Sequence, residues 1–163
     1  MVLQYFKRKE NKEKIIAEDL YKKILYQSNN ILKKNTFFED HDYNSSFEII
    51  SIILVIFIKL NINFEIKNYK KINEYLVNTF VSDLDESLRV KGIGDMSIGK
   101  YVKSYVKKFY FRLSKFPLKI DEMDEDSFLN YFNNFEFINS NRNKEASKVF
   151  VNLFNNIRAS YKI

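Results

Sequence analysis

Several residue types on which active sites depend are absent or nearly absent from this chain. It has no cysteine and one histidine, His41, among 163 residues. Without cysteine there is no disulfide, thiol nucleophile or cysteine-ligated cluster, and the absence is typical of a reducing compartment. Zinc sites and Ser-His-Asp triads need more or better-placed imidazole than one residue supplies. We therefore expect neither an enzyme nor a protein that holds a metal or other cofactor.

Proline and glycine are also scarce, with one proline and three glycines in the whole chain. Few turn formers leave long uninterrupted stretches, which favours helices over a many-stranded β fold. Apolar residues make up 45% of the sequence, enough for one core in a chain of this length. The sequence predicts a single-domain, all-α bundle of about six helices, with a basic N-terminal tail over residues 1–14 and a helical domain over residues 15–163.

Two apolar stretches bear on the cellular compartment. The N-terminus has a short apolar part followed by basic residues, the reverse of a secretory signal, so we expect a protein on the cytoplasmic side. Residues 49–58 are apolar except for Ser51, but a bilayer-spanning helix needs about 20 such residues. We predict a buried central helix over residues 47–60, capped by Ser46, with a buried strand as the competing interpretation.

Helical periodicity recurs along the rest of the chain. It predicts helices over residues 13–27, 68–90, 97–116 and 144–160, and a shorter one that ends near Phe135 and is capped by Asp124 or Asp126. We expect the second, third and fourth helices to supply the core. Residues 28–46 are predicted to form a loop with a short helical piece. Asp40, His41 and Asp42 lie in that loop, where a solvated segment is favoured over a metal site because adjacent residues seldom converge on one ion.

The fourth predicted helix is strongly basic, in a chain of net charge +6. Its apolar residues, aromatic ones included, form a core-facing stripe, and its basic residues lie largely off that stripe. A cationic face of this kind suits nucleic acid, a ribosome or anionic lipid headgroups, and a merely solvated face is the alternative. The candidate anionic-surface-binding residues are Lys100, Lys103, Lys107, Lys108 and Arg112.

All three glycines lie within the last nine residues of the stretch 80–100. Gly92 is placed to adopt the left-handed conformation after a helix, with Ile93 folding back onto the apolar face. Asp95 and Ser97 are candidate caps for the next helix. We predict a helix, a tight corner and a second helix; a phosphate-binding loop would need a preceding strand and a Gly-Lys-Ser/Thr ending.

Acidic residues gather before this corner, where the dipole of the preceding helix disfavours negative charge, and Arg89 is the nearest compensating group. Catalytic paired carboxylates are the alternative interpretation, but no complementary histidine, lysine or metal ligand is evident.

The corner and its flanks resemble the signature of the ubiquinol–cytochrome c chaperone family over roughly residues 17–116. The matching pattern comprises Asp83-Leu84-Asp85, Leu88-Arg89, Gly92-Ile93-Gly94-Asp95, Lys100, and Phe109-Tyr110 before Arg112. The resemblance implies an assembly factor that binds newly made cytochrome b before it joins the respiratory cytochrome bc complex, with no small-molecule substrate. It also implies, for mitochondrial members, a ribosome and a small partner protein. The residues that we assign to partner binding are Asp83, Asp85, Arg89, Gly92, Gly94 and Asp95.

We also expect a peripheral position at the inner membrane, on the matrix side in a eukaryote, because the basic face suits ribosomal RNA or an anionic membrane surface as a further partner. Two other functions remain open. A nucleic-acid-binding helical protein unrelated to respiration would bind with steep salt dependence and need no membrane-protein client. An enzyme of unknown reaction would need a deep pocket lined by perturbed titratable groups.

Overall fold

Six helices and no strand make up the regular structure of the part of the chain that the computed structural model describes. That part comprises residues 12–34, 42–117, 120, 123–134 and 142–161. The helices are α1 (Lys12–Lys34), α2 (Tyr43–Asn63), α3 (Tyr69–Val90), α4 (Asp95–Lys115), α5 (Glu125–Phe132) and α6 (Asn143–Ala159). The predicted all-α bundle is confirmed. Residues 1–11 lie outside the described part, and the predicted boundary of a basic tail at residue 14 remains a prediction, although Lys12 already belongs to α1.

Helix α2 is the centre of the core, as predicted, and it is a helix rather than a strand. Every residue from Ser51 to Ile58 is buried, and the helix packs against α1, α3, α4 and α6. It is long and apolar enough to cross a membrane by length and composition, but most of it is covered by the rest of the protein. The predicted cap is wrong: Asp42 caps α2, because its carboxylate accepts the Ser45 backbone N–H at 2.8 Å, and Ser46 lies inside the first turn.

Helix α1 is longer than predicted and takes the place in the core that we expected α4 to fill. It continues past residue 27 because it packs against α2 and α3; Ser28 faces inward and its hydroxyl donates to the Ile24 carbonyl at 2.7 Å, while Asn29 is exposed. It packs along both α2 and α3. The apolar residues of α4 that are fully covered are Ile98 and Phe109, so the main core is formed by α1, α2 and α3.

Aromatic side chains join α5 and α6 to the same hydrophobic core. Phe128 contacts the rings of Phe132, Phe150 and Phe154, and Phe116 at the end of α4 packs edge-on to Phe128. Asp124 caps α5 by accepting the Ser127 backbone N–H, one of the two caps that we predicted. Phe135, expected near the end of this helix, lies outside the described residues.

Candidate functional site

The corner between α3 and α4 begins with a glycine-based helix cap. Gly92 has a φ of +87°, and its N–H donates to the Arg89 carbonyl at 2.9 Å. The N–H of Ile93 reaches back to the Leu88 carbonyl at 3.2 Å. This pair of hydrogen bonds is a Schellman motif, in which glycine is favoured because other residues are strained at such a φ. The predicted left-handed residue after α3 is confirmed.

The second half of the corner differs from the prediction. Gly94 occupies the N-cap position of α4 with extended backbone, and its carbonyl accepts the N–H groups of Ser97 and Ile98. Neither Asp95 nor Ser97 caps the helix, so that prediction is wrong. Asp95 is the first residue of α4, and its carboxylate accepts a hydrogen bond from Arg89 instead. A negative charge at this end also complements the dipole of α4.

Arg89 connects the two helices across the corner. Its Nε donates to the Asp85 carboxylate at 2.6 Å and its Nη1 donates to the Asp95 carboxylate. Both hydrogen bonds raise the pKa of Arg89, and the bond to Asp85 has the larger effect. Arg89 therefore compensates the acidic end of α3, as the sequence suggested. The three side chains are between 40% and 86% exposed, so solvent weakens the ion pairs and leaves the charged groups accessible to a partner.

Asp83 has a different environment from the other predicted corner residues. It is half-buried, and its carboxylate accepts a hydrogen bond from the Tyr21 hydroxyl at 2.6 Å, which ties α1 to α3. Burial raises the pKa of Tyr21, and this hydrogen bond raises it further. Beside them Tyr43 packs edge-on against Tyr105, and the Lys91 ammonium lies 4.6 Å from the centre of the Tyr43 ring. Periodicity indicated only that Tyr21 faces the core; its partner 62 residues away has no sequence signal.

The bend itself lies at the surface. Gly92, Gly94 and Asp95 are exposed, and a Cβ added at Gly94 would meet nothing within 4 Å. Two large apolar side chains flank the bend: Val90 is 84% exposed and Met96 is fully exposed. Sequence reasoning missed this apolar pair because both residues are adjacent to helical stripes that otherwise face the core. The corner therefore combines charged and apolar groups on one accessible surface.

Lysines line the solvent side of α4. Lys100, Lys103 and Lys107 are exposed and follow one another at helical spacing. Lys108 is also exposed, but its ammonium lies 5.4 Å from the centre of the Tyr105 ring, off that row. Residues 96–116 include no aspartate or glutamate. The structure thus brings three of the five predicted basic residues onto one strip.

The prediction that Arg112 belongs to this cationic surface is wrong. Arg112 is 4% exposed, it donates to the Glu48 carboxylate on α2, and its guanidinium lies 5.0 Å from the centre of the Phe47 ring. Burial raises the pKa of Glu48, and the Arg112 charge opposes that rise. Arg112 is three residues after Phe109 and four before Phe116, both buried, so helical spacing places it on the inner face.

The described residues show no group of acidic and histidine side chains that could hold a metal ion. Asp40 and His41 of the predicted alternative lie outside the described part, and Asp42 serves as the cap of α2.

A cavity of about 440 Å³ lies between α1, α2 and α6, with a lining that includes Ile16, Leu20, Phe57, Asn61, Ile157 and Tyr161. The Tyr161 hydroxyl donates to Asn61, whose amide in turn donates to Asn73. The described lining carries neither carboxylate nor imidazole, and its titratable side chains are Lys23, Tyr26 and Tyr161.

The fold and this site define a helical protein that presents an exposed, charged corner beside a lysine-lined helix. A family model described as ubiquinol-cytochrome C chaperone matches residues 40–130, more than half of the chain. The chain belongs to this family, as the resemblance in the sequence indicated. The matched region contains all of α2, α3 and α4, so it contains the whole corner and the lysine row, whereas α1 and Tyr21 lie outside it. No curated protein and no solved structure matches the chain.

Proposed function

We propose that this protein binds newly made cytochrome b and promotes its assembly into the respiratory cytochrome bc complex, without catalysing a reaction. Membership of the ubiquinol–cytochrome c chaperone family supports an assembly role with a protein client. The observation that carries the proposal is the α3–α4 corner, which lies inside the matched region and is ordered by its own hydrogen bonds yet exposed to solvent.

The corner suits docking because little freedom remains to be lost when a partner binds. The Schellman motif fixes the backbone at Gly92, and Arg89 links Asp85 to Asp95 through two exposed ion pairs. A surface that is already in its bound conformation gains affinity by avoiding the entropic cost of ordering. We assign docking to Asp85, Arg89, Gly92, Gly94 and Asp95, and give Asp83 a positioning role through Tyr21.

An exposed apolar residue beside the bend also fits a membrane-protein client. Protein interfaces combine an apolar centre with a polar rim. Val90 would supply the apolar contact, and the charged groups around Arg89 would supply the rim. The Val90 side chain contacts water in the free protein, so burying it against an apolar client is favourable.

Gly94→Val tests the corner with little effect on the fold. The backbone at Gly94 is extended, with φ −69° and ψ 156°, and the space around its Cβ position is open. The new side chain would therefore project into the docking surface. We expect a tagged protein, purified from its own cells with and without ribosomes, to retain cytochrome b, and the variant to lose it. The cytochrome bc complex should decrease in the same strain.

A matched control is Asn152→Val, at an exposed position of α6 outside the corner. It should leave cytochrome b recovery and complex levels at the parent value. Normal complex levels in a strain with well-expressed Gly94→Val would contradict the assignment of the corner. Failure of cytochrome b to copurify with the parent protein under either condition would contradict the proposed client.

Arg89→Ala is a second test of the same surface. It removes both bridges across the corner, and because the ion pairs are exposed we expect normal expression and an almost unchanged melting temperature. Complex accumulation should nonetheless fall, since the charged rim is altered. A variant that is stable, well expressed and fully active in assembly would remove Arg89 from the proposed site.

The positive charge of the exposed α4 lysines, taken by itself, supports a second candidate, a nucleic-acid- or ribosome-binding protein unrelated to respiration. Lys100, Lys103 and Lys107 present three positive charges with no acidic residue between them. Phosphate contacts of this kind produce binding that weakens steeply as salt rises. This candidate is favoured if RNA of ordinary sequence binds tightly and a strain lacking the protein assembles the cytochrome bc complex normally.

A further inference from the structure

We propose that one face of α4 docks the protein on a lipid bilayer with anionic headgroups. This α4 outer face consists of Met96, Lys100, Lys103, Lys107, Tyr110 and Phe111. The inference goes beyond the proposed function, whose docking site is the α3–α4 corner, and rests on that function for its biological setting. The binding that it predicts is measurable with purified protein alone.

The spacing of these residues places them on a single strip. Met96, Lys100, Lys103, Lys107 and Tyr110 follow one another at intervals of four, three, four and three, which brings residues onto the same side of a helix. Each of them is exposed. From the first to the last the strip is about 21 Å long at 1.5 Å per residue. Phe111 lies beside Tyr110 and is exposed as well, so the strip widens at its C-terminal end.

The charge of the strip is complementary to an anionic surface and is not used inside the protein. The ion pairs found among the described residues involve none of the three lysines. The acidic residue at the start of α4, Asp95, is bonded to Arg89. The row therefore presents its positive charge directly to solvent. Basic residues placed close to anionic headgroups are attracted by the surface potential of the leaflet.

Apolar side chains stand at both ends of the lysine row. Met96 is fully exposed, Tyr110 is 52% exposed and Phe111 is 45% exposed. Interfacial helices combine lysines with apolar and aromatic side chains that enter the boundary between headgroups and acyl chains. Lysine stems also cover apolar surface while their ammonium groups stay at the level of the headgroups. The arrangement suits shallow docking with an apolar contact at each end.

The same observations favour lipid over nucleic acid. Bidentate recognition of phosphates is the specialty of arginine, and the face has none, since Arg112 is buried against Glu48. Bases stack on aromatic rings, which Tyr110 and Phe111 offer, but the side chain of Met96 has no ring. The fully exposed Met96 side chain at the end of the lysine row would be stabilised by moving out of water into a lipid interface.

Cosedimentation of the purified full-length chain with vesicles tests the inference. We expect binding to vesicles of phosphatidylcholine and phosphatidylserine and little binding to phosphatidylcholine alone. Lys100→Gln, Lys103→Gln and Lys107→Gln together should weaken binding by about a hundred-fold, at about five-fold for each lysine. Met96→Ser with Phe111→Ser keeps every charge and should weaken binding by about ten-fold.

A matched control removes three exposed lysines elsewhere, through Lys33→Gln, Lys144→Gln and Lys148→Gln. This variant has the same net charge as the first triple variant and should bind almost as well as the parent. Equal loss in both triple variants would overturn the inference, because it would assign binding to diffuse charge. Failure of the parent to bind anionic vesicles would also overturn the inference. So would a combined result in which RNA binding needs the three lysines and Met96→Ser with Phe111→Ser leaves vesicle binding unchanged.

These outcomes are separable from the proposed function. Vesicle binding uses purified protein, whereas the client proposal depends on recovery of cytochrome b from cells. Loss of cytochrome b recovery in Gly94→Val with normal vesicle binding would keep both proposals. A parent that retains cytochrome b but binds no vesicle would refute the docking face alone.

Discussion

The ion pair between Arg112 and Glu48 provides a sharp test of the fold, because the structure buries both charged groups. Their side chains are 5% and 13% exposed. Arg112→Met keeps a long apolar side chain beside the Phe47 ring but leaves the carboxylate without its counter-charge. Removing one partner of a buried ion pair costs about 3–5 kcal/mol. Since 1 kcal/mol changes the melting temperature of a chain of this size by about 2–4 °C, we expect the variant to melt at least about 6 °C lower.

The loss of stability in Arg112→Met should shrink as the pH falls. Burial already raises the pKa of Glu48, and removing the opposing Arg112 charge raises it further. The folded variant then keeps a proton on Glu48 that the unfolded chain has released. Its stability is therefore greatest below the pKa of Glu48 in the unfolded chain, and it falls as the pH rises through the pKa of Glu48 in the folded protein. One proton corresponds to at most about 1.4 kcal/mol per pH unit. Lowering the pH from 7 to 5 should therefore recover at most about 2.7 kcal/mol relative to the parent.

Urea unfolding at the two pH values, followed by circular dichroism, measures both effects. The control is the double variant Glu48→Gln with Arg112→Met, which removes the titrating carboxyl. Its loss of stability relative to the parent should therefore show no recovery from Glu48 protonation when the pH is lowered. Lys107→Gln, on the exposed side of the same helix, should change the free energy of unfolding by no more than about 0.5 kcal/mol. An Arg112→Met variant as stable as the parent at pH 7, or one whose deficit is the same at both pH values, would refute the buried pair.

Four further substitutions test two helix ends, a position within α4 and the contact between α1 and α3. Gly92→Ala should cost about 1 kcal/mol of stability because φ is +87°. Gly99→Ala, at an exposed position within α4, should stabilise the protein by about 0.5–1 kcal/mol. Thermal unfolding in which both variants shift the melting temperature in the same direction would contradict this. Tyr21→Phe removes the hydrogen bond to Asp83 and should cost about 1–2 kcal/mol in urea unfolding, and an unchanged midpoint would argue against that bond. Asp42→Ala should cost about 1 kcal/mol at neutral pH. Because the bonded backbone N–H lowers the pKa of Asp42, the parent should lose this contribution as the pH falls through that lowered pKa, and a deficit that persists in strong acid would contradict the cap.

The parts of the fold that depend on neighbours in sequence were predictable. The cap at Gly92 follows from glycine after an apolar helical stripe, and the α3–α4 corner was placed within a residue or two. The buried helix α2 was predicted from the apolar run over residues 49–58, although the whole helix is long and apolar enough to cross a membrane by length and composition. In each case the pattern that predicts the element is contained within the element and its flanks, so no knowledge of the rest of the chain is needed.

The parts that depend on distant residues were not predictable. Asp83 resembles the acidic residues beside it, but only Asp83 meets a tyrosine from α1. Spacing from Phe109 and Phe116 could have placed Arg112 on the inner face, but its buried counter-charge, Glu48, lies 64 residues away and has no local signal. The end of α1 was misplaced because Ser28-Asn29-Asn30 favours a loop locally, whereas packing against α2 and α3 sustains the helix.

The two proposed surfaces share one helix, and this constrains how they would work together. Met96 begins the α4 outer face and also flanks the bend, while Arg89 links α3 to the first turn of α4 through Asp95. If the α4 outer face lies on the bilayer, the bend lies at one end of that contact and therefore at the level of the headgroups. The acidic groups of the corner would be repelled by anionic lipid, which favours turning them away from the membrane and toward a protein. A client leaving or entering the bilayer would then meet the corner at the membrane surface, where its apolar segments first become exposed to water.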